Sequence, residues 1–112
     1  MDLSTFLMTQ DKILLDGAMG TQLALRGLSM GGHTNLTNPD AVLDIHQQYS
    51  QCGCHILITN TLIMNRIYIE THNLGVDVRE VNLAGAKLAI QAADQNQYVL
   101  GDISSTGKLT VI

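Results

Sequence analysis

The stretch that decides the fold is Asn38-Pro39-Asp40-Ala41-Val42-Leu43-Asp44-Ile45-His46-Gln47-Gln48-Tyr49-Ser50-Gln51-Cys52-Gly53-Cys54-His55-Ile56-Leu57-Ile58-Thr59-Asn60-Thr61. Its first half carries the marks of a helix start. Asn38 can cap, Pro39 suits the first helical position, and Asp40 favours the positive end of the helix dipole. Val42, Ile45, Tyr49 and Cys52 recur at i, i+3, i+7 and i+10 and so share one face. Gly53 suits the position just past the helix end. After a two-residue turn, His55-Ile56-Leu57-Ile58-Thr59 is a short apolar run without alternation, the pattern of a strand buried on both faces.

The same unit repeats on either side. Upstream, Ile13-Leu14-Leu15 reads as a buried strand closed by Asp16-Gly17, with Gly20 three residues on. Residues 26–38 read as loop, since they are rich in Gly, Asn and Ser and show no periodicity. Downstream, residues 62–74 hold a short helix ending at Leu74-Gly75. Asp77 with Glu80 forms a capping-box pattern, and Val78, Val81, Gly85, Leu88 and Ala92 make a second helical stripe. Tyr98-Val99-Leu100-Gly101 is a third strand, followed by Asp102 and the polar turn Ser104-Ser105-Thr106-Gly107. Strands starting near 13, 56 and 98 are 43 and 42 residues apart, which gives a βαβαβ order and hence an α/β fold with a parallel sheet. Thr110-Val111-Ile112 brings no further helix or polar tail, so the chain reads as truncated at its C-terminus.

Composition narrows the function. The chain has 112 residues, 46% of them apolar, enough for one folded domain. A net charge of −4 with 4% aromatics speaks against nucleic acid, because binding phosphates needs clustered Lys and Arg and stacking needs rings. No apolar run reaches the ~18 residues of a membrane span, and Met1-Asp2-Leu3-Ser4 lacks the features of a signal peptide. Two cysteines make no disulfide framework, so the expected compartment is the cytoplasm.

In parallel α/β folds, ligands bind at the carboxyl ends of the strands. Three polar clusters fall there: Asp16-Gly17, Thr59-Asn60-Thr61, and Asp102 with Ser104 and Thr106. A carboxylate can hold an ammonium group and free main-chain amides can hold a carboxylate, so the set suits an amino acid. The same residue types also lead turn chemistry. Cys52-Gly53-Cys54-His55 offers too few well-separated ligands for zinc. Cys52 reads as a small buried hydrophobe completing the helical stripe, and Cys54 as an ordinary turn thiol. His46, in mid-helix, reads as a hydrogen-bonded or half-exposed structural residue. No dinucleotide fingerprint, nucleophile elbow or P-loop occurs.

Five segments resemble, in order, the homocysteine S-methyltransferase family, which includes the N-terminal homocysteine-binding domain of cobalamin-dependent methionine synthase. They are Ile13 through Leu23; Asn35-Leu36-Thr37-Asn38-Pro39-Asp40 with Ile45-His46-x-x-Tyr49; Ile58-Thr59-Asn60-Thr61 with Arg66; Glu80 through Ala89; and Gly101-Asp102-Ile103 with Thr106-Gly107-Lys108-Leu109. The resemblance implies a (β/α)8 TIM barrel, which takes about 250 residues. Residues 1–112 would then be a partial homocysteine-binding domain with about the first three strands.

It further implies methyl transfer to homocysteine sulfur to give methionine, with a zinc ion that converts the thiol to a thiolate. The family's zinc ligands come late in the barrel, so none is expected in this chain, and the fragment alone is expected to be inactive. Cobalamin and methyl-folate would act through other modules. Asp16 matches the carboxylate that holds the substrate ammonium. Gly17 and the turn Thr59, Asn60 and Thr61 match the groups around the substrate carboxylate. Cys52 and Cys54 stand where the family has an Ala-Gly-Ala pattern, Ser104-Ser105 where it has Gly-Pro, and Leu62 where it has Phe. The expected partners are homocysteine and either the missing barrel half or a second copy, because a barrel cut after three strands leaves open edges. The alternative is a truncated, non-catalytic relic that binds or oligomerises.

Overall fold

The computed structural model describes residues 1–108; Leu109 and Thr110–Ile112 lie outside the described residues. The sheet is built around β1 (Ile56–Ile58), which pairs in parallel with β2 (Tyr98–Leu100) in the register Ile56–Tyr98, Leu57–Val99 and Ile58–Leu100. On the other side of β1 lies the 13–15 segment. Only Leu15 makes a parallel bridge there, to Ile56, with the Asp16 N–H donating to the Ile56 carbonyl at 2.9 Å. The strand expected at Ile13-Leu14-Leu15 is thus reduced to a single bridge. Among the described residues it pairs on one side only, and Leu14 and Leu15 are both half exposed.

The described residues form six helices: α1 (Leu3–Thr9), α2 (Gly20–Leu25), α3 (Thr34–Thr37), α4 (Pro39–Gln51), α5 (Arg66–Thr71) and α6 (Val78–Ala92), of which α4 packs on β1 and α6 on β2. None is long and apolar enough to cross a membrane. The helix read from Asn38 to Gly53 is α4. Pro39 opens it and Asp40 sits in its first turn, but Asn38 does not cap with its side chain. Its Oδ1 instead accepts from the Thr37 hydroxyl at 3.0 Å, because α3 runs directly into α4 and brings Thr37 beside it. The loop expected over 26–38 therefore contains one helical turn. For α6 the first half of the capping box forms, since the Asp77 carboxylate accepts from the Glu80 N–H at 2.9 Å, but among the described residues the Glu80 side chain makes no return bond to the Asp77 N–H.

The core forms where α4 and α6 pack together over the sheet. Leu23, Val42 and Ile45 make one buried cluster, with Tyr49 and Leu88 against it, and Met64, Ile69 and Val81 make another. The helical stripe of α4 is wider than its spacing suggests. α4 touches α2, α3, β1 and α6, so His46, next to Ile45, is fully buried. Both ring nitrogens lack a hydrogen-bond partner among the described residues, which corrects the reading of a hydrogen-bonded or half-exposed histidine. The two cysteines exchange the environments expected of them. Cys52 ends α4 and is exposed, while Cys54 is buried, with its carbonyl accepting from Gln97 Nε2 at 2.9 Å. Burial pushes the Cys54 thiol pKa up.

α1 was not legible as a helix. Asp2 caps it by accepting from the Thr5 N–H at 2.7 Å, a bond that holds the Asp2 carboxyl below the usual range. Phe6 then packs on the His55 and Tyr98 rings, with centroids 5.3 and 5.0 Å away, and the Tyr98 hydroxyl donates to the Met1 carbonyl at 2.7 Å. His55 and Tyr98 sit where β1 and β2 begin, so α1 covers that end and leaves the opposite end open. The molecule is flattened, 41 × 41 × 22 Å, with a radius of gyration of 14.9 Å. A closed domain of this length would have roughly 13 Å.

Candidate active site

At the carboxyl end of the strands a cavity of about 340 Å³ is lined by Asp16 and Gly17 after the first bridge, by Ile58, Thr59 and Asn60 at the end of β1, and by Asp102 after β2. Met19, Met30, Leu62 and Ile63 supply apolar walls. The size falls in the usual range of small-molecule sites.

Asp16 is held from below. Its Oδ2 accepts from the Ile58 N–H at 3.0 Å, which leaves Oδ1 for a ligand. Burial raises its pKa, and the Ile58 N–H pulls the other way. The turn bearing it is propped by α4, because the Tyr49 hydroxyl donates to the Ala18 carbonyl at 2.7 Å. A Cβ on Gly17 would lie 2.6 Å from the Tyr49 ring, so only glycine lets that ring come so close. The Gly17 N–H has no partner among the described residues and is an available donor.

The hydroxyls of Thr59 and Thr61 are engaged within the protein. Thr61 donates to the Asp102 carbonyl at 2.9 Å, so in the 2.7 Å contact between the two threonines it is Thr59 that donates. Thr59 in turn accepts from the Asp102 N–H at 3.0 Å. This ring ties the end of β1 to the end of β2. Thr61 does not line the cavity, and neither threonine has a hydroxyl proton left for a ligand carboxylate. Asn60 lines the cavity, with both its side-chain N–H groups directed inward, to Thr34 Oγ1 at 3.1 Å and Asn35 Oδ1 at 3.0 Å.

Ile63 was not singled out by its sequence. It lines the cavity with φ of +58°, a conformation β-branched residues avoid at a cost of about 1–3 kcal/mol. The Ser104 hydroxyl holds it there by accepting the Ile63 N–H at 2.5 Å. Nothing in a local pattern signals that contact, since the two residues are 41 positions apart.

The wall therefore has two carboxylates, Asp16 and Asp102, and no basic side chain among the described residues. Such a site favours a cationic group. The residues present do not fit zinc: among the described residues no three His, Cys, Asp or Glu side chains are grouped to share a metal ion. Cys52 and Cys54 differ in exposure, and the His55 Nδ1 accepts from the Leu14 N–H at 2.9 Å.

The family model for homocysteine S-methyltransferase matches residues 13–112. The chain belongs to that family. It is 28% identical to methionine synthase of Mycobacterium tuberculosis over 94% of its length, and 29% identical to methionine synthase of Mycobacterium leprae over 87%. It spans about a tenth of each of these relatives, 10% and 9%. Among solved structures, the homocysteine methyltransferase MmuM from Escherichia coli in its metallated form matches with a TM-score of 0.77 and 24% identity, over 91% of this chain and 41% of that one. Its oxidised form matches with a TM-score of 0.68 and 26% identity, over 80% and 33%. The fold of this homocysteine S-methyltransferase family member is thus shared with a homocysteine methyltransferase over most of the chain.

Proposed function

We propose that residues 1–112 are the opening βα units of a (β/α)8 barrel, and that the cavity at their strand ends recognises the amino-acid part of homocysteine for methyl transfer to its sulfur. The observation that carries this reading is the Asp16 carboxylate, fixed by the Ile58 N–H and lining a cavity whose wall, among the described residues, has acids and no bases. Asp16 Oδ1 would take the ammonium group. The Gly17 N–H would take one oxygen of the substrate carboxylate. The sulfur end would lie among Met19, Met30 and Leu62, soft apolar neighbours for a thioether product. Zinc, cobalamin and methyl-folate belong to the complete enzyme, and no step through them is assigned to these residues. The chain alone would bind without turning over, in the cytoplasm, with no nucleic acid or membrane partner.

A second reading, a non-catalytic module that associates with another copy or with the rest of a barrel, is favoured by exposed Leu14, Leu15 and Ile103, the last 96% exposed. Calorimetric titration with L-homocysteine separates the two. Binding by the chain, weakened by Asp16→Asn about 10-fold or more, supports the first reading, since a charge-assisted contact is worth on the order of 1.5–3 kcal/mol. Equal affinity in both chains makes Asp16 a turn residue, and no binding at all favours the second.

A further inference from the structure

Asn35 lies on α3, outside the cavity wall and 2% exposed. Its amide nitrogen faces two main-chain carbonyls, that of Asn60 at 2.7 Å and that of Val81 at 3.2 Å. A carbonyl only accepts, so these two contacts fix which end of the Asn35 amide is nitrogen. Its Oδ1 is thereby turned to Asn60 and must be met by a donor, the Asn60 Nδ2 at 3.0 Å. The second Asn60 N–H goes to Thr34 Oγ1 at 3.1 Å. That hydroxyl already donates to the Gly31 carbonyl at 2.6 Å, so towards Asn60 it accepts. Two independent neighbours thus impose the same orientation on the Asn60 amide. Its Oδ1 is left as the polar atom without a protein partner among the described residues. α6 is shaped for this arrangement: a Cβ on Gly85 would lie 2.6 Å from Asn35 Nδ2 and 2.8 Å from Thr61 Cγ2.

We propose that Asn35 is a positioning residue for the cavity, orienting the Asn60 amide so that Oδ1, in the wall that Asp16 also lines, accepts a hydrogen bond from the ligand's ammonium group. The proposal rests on the amino-acid reading of the site and assigns it an acceptor that the sequence pattern had placed with the substrate carboxylate. An orientation reversed at Asn60 would present N–H groups to a cation and weaken its binding.

The test pairs two ligands with one spectroscopic probe. L-homocysteine and 4-sulfanylbutanoate, which lacks only the amino group, are titrated calorimetrically into the 112-residue chain and into Asn35→Ala. The expected result is a loss of about 10-fold or more for homocysteine and little change for the deaminated compound, because a charge-assisted hydrogen bond is at stake. Equal loss for both would mean that Asn35 only supports the fold and would overturn the proposal. Where Asn35→Ala fails to fold, Thr34→Val keeps Asn35 and removes one of the two orienting acceptors; the same selectivity, smaller in size, is expected, and its absence counts against the proposal. The side-chain amide resonances of Asn60 in the unaltered chain give a readout independent of homocysteine. Slow proton exchange on both Nδ2 protons, with a shift of that resonance on adding butylammonium, supports the proposal even if homocysteine itself does not bind and the functional reading falls. Exchange as fast as in a free asparagine, or no response to butylammonium, overturns it.

Discussion

Acidification from pH 7.5 to 4 is expected to weaken the fold through His46. The side chain is fully buried on α4, its ring nitrogens lack partners among the described residues, and burial lowers its pKa from 6.5 to about 4. The folded state therefore holds the imidazole neutral, while the unfolded chain takes up a proton as soon as the pH falls below 6.5. Stability is fully present above 6.5, declines as the pH drops from there towards 4, and levels off below that. A folded-state value near 4 against 6.5, at about 1.4 kcal/mol per pH unit, amounts to roughly 3 kcal/mol. That is a large share of the 5–15 kcal/mol typical of a domain. Asp16 acts in the opposite sense. Its raised pKa contributes stability at low pH that is lost as the pH rises from 3.8 through its folded value. It is common to the parent chain and to a His46→Leu variant, so it cancels in their difference. Urea unfolding followed by circular dichroism at pH 7.5, 6.5, 5.5 and 4.5 is the assay. The parent should lose stability through the window while His46→Leu loses much less, and at pH 7.5 the variant should be at least as stable, because an unpartnered buried polar group is removed. Parallel curves for the two chains would refute the reasoning.

Gly17→Ala should destabilise the chain by about 1–3 kcal/mol, since the new methyl forces the Tyr49 ring off the Ala18 carbonyl; thermal unfolding of this variant beside Tyr49→Phe, expected to lose about 1 kcal/mol, would show it. The chain alone should self-associate through the open edges of the sheet near Leu14, Leu15 and β2, giving a mass above 12.1 kDa by light scattering at micromolar concentration. A monomer with one sharp unfolding transition would contradict this.

Much of the α/β order was legible because it rests on local signals. Pro39 and Asp40 start α4, Asp77 starts α6, and the apolar runs at 56–58 and 98–100 become β1 and β2. What sequence reading missed is tertiary. α1 has no buried residue of its own and is held by Phe6 on two rings far along the chain. α3 is four residues long, too short for periodicity to register. Cys52 fell on the helical stripe by spacing, but α4 ends at Gln51 and Cys52 is the residue that caps its C-terminus, left exposed. At the site, Asp16, Gly17, Thr59 and Asn60 were singled out as strand-end residues and do line one cavity, whereas Thr61 turns to the Asp102 carbonyl. The part played by Asn35 could not be read, because it depends on contacts 25 and 46 positions away.

The hydrogen bond from Tyr98 to the Met1 carbonyl, across 97 positions, bears on how the chain is made. At a synthesis rate of roughly 5–20 residues per second, the first helix leaves the ribosome about 5–20 s before its docking partner exists. During that interval Phe6 has neither the Tyr98 ring nor a formed sheet to rest on. A helix made some ninety residues ahead of Tyr98 is thus among the last elements to be fixed in place, and a nascent chain halted between the two would leave this helix undocked and open to proteases.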